Sequence, residues 1–395
     1  MDAWIYGGIR TPFGRHAGAL AGLRPDDMAA LTIREALALG SFDPAAVEDV
    51  ILGCTNQAGE DSRNVARHAA LLAGLPVEVA GHTVNRLCAS GLQAVVAAAQ
   101  AVHCGQGDLF VAGGVESMSR APFVMAKAEA PYSRDLRVFD STIGARFPNP
   151  WISGEYGEDT MPQTGDNVAA EHGISRQAAD EFAARSQSRY AAALADGFFN
   201  DEIMPVEVPA GRKQPPVEVG EDEHPRPGTT VDKLAGLKPL FEGGVVTAGN
   251  ASGVNDGATA LVVGSSAAGA QPLARVVATA CAGVAPRVMG LGPVPASQKA
   301  LARAGLTLGD MDVIEINEAF ASQVLGCLKL MKLAPDDERV NPNGGAIAVG
   351  HPLGASGARL VLTATHQLQR TGGRYALVSL CIGVGQGLAV ILERA

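Results

Sequence analysis

Short apolar runs alternate with segments of helical spacing along most of the chain. The runs are rich in β-branched residues, and glycine or polar residues bound most of them, so they predict buried strands. They are VEDVILGC (47–54), DLFVAGGV (108–115), ALVVGSS (260–266), DVIEIN (312–317) and YALVSLC (375–381). Helical spacing lies between them, as in residues 26–40 and 175–197. This alternation predicts an α/β protein built from stacked layers.

The alternation is interrupted between about residues 120 and 247. Proline-bearing irregular stretches surround one helical segment there, among them RFPNPWISGEYGEDTMPQTG and PAGRKQPPVEVGEDEHPRPGTT. Since functional loops gather on rigid scaffolds, we interpret this part as an inserted loop-rich domain.

Residues 83–95 (TVNRLCASGLQAV) and 315–327 (EINEAFASQVLGC) share a pattern. It pairs Asn85 with Asn317, Cys88 with Phe320, and Ser90 with Ser322. Coincidence is one explanation, but the alternation on both sides of the insertion favours duplication of one half-fold. We therefore expect an N-terminal domain over residues 1–268, which includes the insertion, and a C-terminal domain over residues 269–395.

Composition narrows the class of protein. The 395 residues are 47% hydrophobic and 18% charged, which suits two domains or one large layered unit. A net charge of −10 without a block of like charge argues against a nucleic-acid binder or a membrane-surface protein. The first residues show no signal-peptide pattern, and no apolar stretch is long enough to span a bilayer.

The cysteines indicate a reducing compartment rather than a disulfide-bonded scaffold. Six are scattered along the chain without a CxxC pair, so we expect free thiols in a reducing compartment, the cytoplasm. The eight histidines do not cluster with them at ligand spacing, so we expect no metal site.

Cys88 lies where a strand-like run ends and a helix begins. The free amides and the dipole of a helix N-terminus favour a thiolate and also stabilise an oxyanion. The small residues Ala89, Ser90 and Gly91 leave room for a substrate carbonyl to approach the backbone. A nucleophile is one interpretation, and a buried packing cysteine is the other.

Two further segments carry candidate chemistry. In NPNGGAIAVGHPLGASGAR (341–359), the density of glycine around His351 indicates a constructed site rather than a structural histidine. In SLCIGVGQG (379–387), Cys381 ends a strand next to backbone amides that face an oxyanion in our interpretation. Asn317 is a candidate polar anchor for a water. A nucleotide-binding loop is disfavoured, because no helix with a lysine follows the glycines.

Six motifs in series resemble the thiolases, the acetyl-CoA C-acyltransferase family. They are NRLCASGLQAV, GGVESMSRAP, GNASGVNDGA, NEAFA, NPNGGAIAVGHPLGASGAR and CIGVGQG, and the resemblance covers essentially the whole chain. It implies a five-layer αβαβα fold of two similar halves with an inserted loop domain, and a homotetramer that is a dimer of dimers. It also implies coenzyme A as a substrate and no tightly bound cofactor.

The resemblance assigns catalytic roles. Cys88 becomes the acyl thioester in a ping-pong reaction, His351 activates Cys88 and then coenzyme A, and Cys381 is the acid/base at the α-carbon. One oxyanion hole is His351 with a water held by Asn317, and the other is formed by the amides of Cys88 and Gly383. These roles agree with the types of residue found there.

Contacts to coenzyme A follow from the same resemblance. Ser252 and Ala248 match residues of the pantetheine channel, and Arg226 matches a cation near the nucleotide. Apolar residues of the channel are matched by Met161, Phe241, Met289, Ala319 and Phe320. Each has a plainer interpretation, because Met and Phe are often core residues and Arg226 is equally suited to a solvated loop.

The sequence departs from the pattern of short-chain thiolases at a position that bears on the identity of the substrate. Acetoacetyl-CoA thiolases often show His-Met where this chain has Thr160-Met161. Residues 56–67 and 140–150 are instead similar to thiolases that cleave 3-oxoadipyl-CoA. The carboxylate of that substrate needs a cationic or polar partner, for which the candidates are Arg63, Arg67, Arg134 and Arg146. The plainer interpretation is that these arginines serve loop or subunit contacts.

Other functions remain as alternatives. They are an acetoacetyl-CoA thiolase working in the condensing direction and a non-catalytic acyl-CoA-binding homologue. A β-ketoacyl synthase is disfavoured, because it uses a second histidine where this chain has Asn317.

Overall fold

A computed structural model describes residues 2–210 and 214–395. The strands are β1 (Trp4–Arg10), β2 (Gly14–Arg15), β3 (Asp49–Gly53), β4 (Ala80–Val84), β5 (Leu109–Ser117), β6 (Phe123–Met125), β7 (Val138–Asp140), β8 (Val206–Val208), β9 (Val217–Val219), β10 (Asn255–Gly264), β11 (Ala274–Gly283), β12 (Val313–Ile316), β13 (Tyr375–Ile382) and β14 (Gln386–Arg394). The helices are α1 (Pro25–Leu39), α2 (Val65–Leu72), α3 (Ser90–His103), α4 (Pro150–Tyr156), α5 (Met161–His172), α6 (Arg176–Ala195), α7 (Val231–Ala235), α8 (Pro293–Ala304), α9 (Ala321–Met331), α10 (Ala346–Val349) and α11 (Leu353–Thr371).

The main strands form two similar halves. The strand order is β12-β13-β14-β11-β1-β10-β5-β3-β4, and the halves meet where β1 pairs with β11. In the first half, β3 is parallel to β4 and β5, and β10 joins β5 to β1 by antiparallel pairing. In the second half, β12 is parallel to β13, and β14 joins β13 to β11 by antiparallel pairing.

Helices cover both faces of each half. A central core contains α3 and α11 between the two sets of strands, and outer cores hold α1 and α2 on one side and α8 and α9 on the other. The layers therefore run helix, sheet, helix, sheet, helix, which confirms the predicted fold class. Glycine allows the central helices to approach, because a Cβ on Gly91 would lie 2.5 Å from the carbonyl oxygen of Gly354.

The predicted register of the internal repeat is wrong. In the first half, Asn85 and α3 follow β4, the second of its parallel strands. In the second half, Asn317 follows β12, which is the first parallel strand of that half. Val340 forms a parallel bridge to Ile314 of β12, so α11 is the helix in the position of α3. The halves therefore match Cys88 with His351, and sequence similarity at Asn317 does not reflect this topology.

The insertion contains more helix than predicted. Four helices, α4 to α7, and the hairpins β6–β7 and β8–β9 lie in it, where one helical segment was expected. Prolines that suggested irregular chain instead open helices. Pro150 begins α4 behind its Asn149 cap, and Pro162 follows Thr160, which forms a capping box with Gln163.

The proposed domain boundary at residue 268 falls between β10 and β11 and remains a prediction. Among the helices of the described ranges, none combines the length and the apolar character needed to cross a membrane.

Candidate active site

Cys88 sits on a tight turn between β4 and α3. Leu87 has a φ of 46°, a left-handed conformation that is strained for leucine. The Ser90 hydroxyl fixes the turn, since its oxygen accepts from the Arg86 amide at 2.9 Å and its proton goes to the Leu87 carbonyl at 2.7 Å. Cys88 is thus held at the end of the central layer, and the residue as a whole is half-buried.

The backbone amides of Cys88 and Gly383 donate to the Cys88 sulfur and lower its pKa. Burial has the larger effect, so the net pKa of the thiol is raised above its ordinary value. The expectation that the helix start alone favours the thiolate is therefore wrong. The helix begins only at Ser90, and desolvation outweighs the amides. A resting thiol of this kind needs a base.

His351 is the candidate for that base. It lies between Gly350, with a φ of 106°, and Pro352, and its amide donates to Asn255 Oδ1 at 2.8 Å. Its Nδ1 is 2.7 Å from Ser356 Oγ, and its Nε2 is 3.2 Å from Asn317 Nδ2. Burial, and then the positive charge of Arg359, lower its pKa to about 3. The imidazole is therefore neutral at physiological pH.

Cys381 lies at the far end of β13 in apolar surroundings. It packs in one buried cluster with Val246, Ala251, Met289, Ala319 and Phe320. Burial, and then the nearby Cys88 sulfur, raise its pKa well above the ordinary value. This thiol holds its proton until a strong base forms beside it.

Some predicted coenzyme A contacts lie at this centre. Met289, Ala319 and Phe320 surround Cys381, and the Ser252 amide donates to the Ala319 carbonyl at 2.9 Å. A Cβ on Gly383 would lie 3.8 Å from Met161 Sδ, so Met161 borders the same amides.

Other predicted contacts lie farther out. Ala248, Phe241 and Arg226 are exposed, and the Arg226 amide donates to Gln187 Oε1 at 2.9 Å. A cleft of about 350 Å³ opens beside Phe241 but is lined by acidic residues, including Asp159, and by none of the catalytic candidates. Its charge does not suit a phosphate group.

The candidate partners of a substrate carboxylate differ in availability. The Arg67 guanidinium donates to the carbonyls of Val77 and Val79, so it holds the chain before β4 and is not available. Arg63 and Arg134 are exposed. Arg146 is partly buried, and its charge acts on the carboxyl group of Asp61.

Three residues that position this site were missed in the sequence. Asn255 and Ser356 hold His351, and the buried Glu116 joins the two halves. Glu116 accepts from the amides of Asn56 at 3.0 Å and Gly354 at 2.9 Å. The place of Ser356 in the first turn after His351 was the available signal. In the described ranges, no group of three or more His, Cys, Asp or Glu side chains is placed to hold a metal ion.

Comparison with known proteins gives consistent full-length matches. Family models described as the thiolase N-terminal and C-terminal domains match residues 3–267 and 270–394. A β-ketoadipyl-CoA thiolase of Escherichia coli is 58% identical, covering 100% of this chain and 99% of its own. One of Acinetobacter baylyi is 56% identical, covering 99% of each. The crystal structure of the Bacillus anthracis acetyl-CoA acetyltransferase superimposes with a TM-score of 0.93 at 38% identity, covering 100% of this chain and 99% of that one.

Proposed function

The chain belongs to the thiolase family, an acyltransferase family, and we propose that it cleaves 3-oxoadipyl-CoA with coenzyme A into succinyl-CoA and acetyl-CoA. The observation that supports the chemistry is that Cys88 lies near Cys381 and accepts from the Gly383 amide, while His351 lies 3.2 Å from Asn317, whose neighbours Ala319 and Phe320 pack around Cys381. The dicarboxyl substrate is supported by the identity of 56–58% to the β-ketoadipyl-CoA thiolases.

In the first half-reaction, His351 Nε2 removes the Cys88 proton, and the sulfur attacks the C3 carbonyl of the substrate. The amides of Cys88 and Gly383, which already donate to this sulfur, stabilise the tetrahedral oxyanion. The C2–C3 bond then breaks, which leaves the acyl group on Cys88 and releases the enolate of acetyl-CoA. Cys381 protonates the α-carbon of that enolate.

The imidazolium stabilises the enolate oxygen through Nε2–H. Asn317 assists through a bound water, and its Oδ1, which is buried without a hydrogen-bond partner among the described groups, suits that task. The proton on His351 then restores the Cys381 thiol, so both groups return to their resting forms.

In the second half-reaction, His351 takes the proton of the coenzyme A thiol. The thiolate attacks the acyl-Cys88 thioester, the Cys88 sulfur leaves, and the imidazolium returns its proton to it. Ser252, Met161 and the apolar residues around Cys381 line the pantetheine path, and the exposed Ala248, Phe241 and Arg226 lie toward the nucleotide.

Arg146 is the cation that best fits the substrate carboxylate. Its loop packs on the loop after β3, since Asn56 Nδ2 donates to Ser141 Oγ at 3.1 Å. The loop after β3 in turn lies beside the nucleophile turn, because Asn85 Nδ2 donates to the Thr55 carbonyl at 3.2 Å. We propose that the acyl chain of the substrate leaves Cys88 along these loops, toward Arg146.

The test is a comparison of kcat/KM for 3-oxoadipyl-CoA and acetoacetyl-CoA. We expect a clear preference for 3-oxoadipyl-CoA. A preference for acetoacetyl-CoA would assign the short-chain activity instead, and no turnover of either would favour a non-catalytic homologue.

We also propose a homotetramer in the cytoplasm. The outer edge of β4 is unpaired in the described chain, and Leu71, Leu72 and Val77 expose apolar surface near it. Phe123 and Met125 of the β6–β7 hairpin expose a second apolar surface. Sedimentation velocity should give a four-chain species. Because Cys88 and Cys381 act as free thiols, the reaction suits a reducing compartment.

A further inference from the structure

We propose that Ser356 is a positioning residue that keeps the single proton of neutral His351 on Nδ1, so that Nε2 carries the lone pair that takes the Cys88 proton. This inference rests on the proposed role of His351 as the base. It adds the group that decides which ring nitrogen performs that role.

The hydrogen bonds of Ser356 fix the direction of its hydroxyl. Ser356 Oγ is 2.8 Å from the carbonyl oxygen of Pro352, which accepts and cannot donate. The single hydroxyl proton therefore points to Pro352. The side of Oγ that faces His351 Nδ1, 2.7 Å away, is then a lone pair, and Nδ1 must carry the proton.

The opposite side of the imidazole leads to the same assignment. Asn317 Nδ2 is 3.2 Å from His351 Nε2, and an amide nitrogen donates and does not accept. With the amide in this orientation Nε2 accepts, which agrees with the assignment made from Ser356. His351 is 4% exposed, and Ser356 and Asn317 are fully buried, so bulk water does not compete for either nitrogen.

The local sequence explains how Ser356 reaches this position. Pro352 is the N-cap of α11, and Ser356 lies one turn into the helix, so its amide and its hydroxyl both reach the Pro352 carbonyl. The Pro352 carbonyl is thereby tied to the residue that accepts from His351. The hydrogen bonds of Ser356 therefore hold the imidazole of His351 in a fixed position relative to the start of α11.

The tautomer matters because His351 is neutral before the reaction. With the proton on Nε2, that nitrogen would be a donor and could not accept the thiol proton of Cys88. With the proton on Nδ1, Nε2 accepts it, and the resulting imidazolium keeps its hydrogen bond to Ser356. Ser356 itself neither gains nor loses a proton and touches no substrate.

The first measurement is made on the wild-type enzyme labelled with ¹⁵N at histidine. Magic-angle-spinning ¹⁵N spectra, with His351→Gln to assign the resonances, report which nitrogen is protonated. We expect protonated Nδ1 and unprotonated Nε2. The reverse pattern would overturn the inference whether or not any Ser356 variant folds.

The second measurement is kinetic and compares Ser356→Ala with Ser356→Thr, which keeps the hydroxyl. We expect Ser356→Ala to lower kcat about 10- to 100-fold with KM within about twofold, as for other residues that orient a functional imidazole. Its ¹⁵N spectrum should show protonated Nε2 appearing, and Ser356→Thr should recover most of kcat. Ser297→Ala is the matched control, because Ser297 is also buried and its hydroxyl has no partner among the described residues.

Two outcomes would contradict the inference: an unchanged kcat in Ser356→Ala, or a loss of kcat without a change of tautomer. Failure of the proposed function is distinct, since it would appear as wild-type enzyme that forms no acyl-Cys88. In that case Ser356→Ala would still alter the tautomer.

Discussion

Lowering the pH from 7.5 to 5.5 should leave His351, the proposed catalytic base, unprotonated. A histidine with an ordinary pKa of about 6.5 would be about 90% protonated at pH 5.5, and a reaction that needs its neutral form would slow about tenfold. Burial and the charge of Arg359, which is itself buried 3.8 Å from Glu315, lower the pKa of His351 to about 3. At pH 5.5 its neutral fraction then exceeds about 99%.

The assay is kcat/KM for thiolysis between pH 5.5 and 7.5, which reports groups of the free enzyme. We expect no fall of kcat/KM on the acid side of the profile with a midpoint near pH 6.5. His224, whose pKa is lowered to about 4 by burial, adds none in this range. A tenfold fall centred near pH 6.5 in fully folded enzyme would refute the assignment of a neutral, buried base.

The same shift has a consequence for stability. Because the pKa of His351 is lower in the folded than in the unfolded chain, the unfolded chain gains a proton first as the pH falls below about 6.5. The folded state is therefore destabilised, by about 1.4 kcal/mol at pH 5.5 from this residue. His351→Gln should lose correspondingly less stability than the wild type between pH 7.5 and 5.5 in thermal unfolding. An equal loss in both proteins would contradict the shift.

Three substitutions test the other groups of the site. Cys381→Ala should abolish cleavage and the exchange of the α-protons of acetyl-CoA while some acylation of Cys88 remains, and unimpaired exchange by mass spectrometry would refute its acid/base role. Glu116→Gln should lower the free energy of unfolding by about 2 kcal/mol or more, since one oxygen that accepts from buried donors becomes an NH2 group that cannot accept, and thermal unfolding no different from wild type would contradict this. Arg146→Gln should raise KM for 3-oxoadipyl-CoA at least about tenfold and leave KM for acetoacetyl-CoA unchanged. Arg134→Gln, at an exposed arginine, is the control. Equal effects on the KM of both substrates would show that Arg146 does not bind the carboxylate.

Local patterns in the sequence predicted the layers and identified the segments of the site. Buried strands such as β5 and β10 are continuous small and β-branched runs, and Cys88, His351 and Cys381 each stand where a strand or a glycine-rich segment meets a turn. These features depend on neighbours along the chain, so a single sequence contains them.

Features that depend on distant contacts were not predicted. The two halves were aligned by sequence similarity, which paired Cys88 with Phe320. The structural equivalence of Cys88 and His351 follows instead from strand pairing and from the bridge of Val340 to Ile314. The pKa of Cys88 was expected to fall because it lies at the start of a helix, a local feature, but burial raises the pKa. Glu116 joins segments far apart in sequence, and no local sequence pattern indicates that it bonds to Asn56 and Gly354.

The most direct test of the account is to identify the covalent intermediate. The enzyme is incubated with 3-oxoadipyl-CoA in the absence of free coenzyme A, quenched in acid and analysed by peptide mass spectrometry. We expect one succinyl group on Cys88, which added coenzyme A removes as succinyl-CoA, and unlabelled Cys104 and Cys281, the two exposed thiols of the described chain. A succinyl group on any other residue, or a Cys88 adduct that coenzyme A does not remove, would contradict the account.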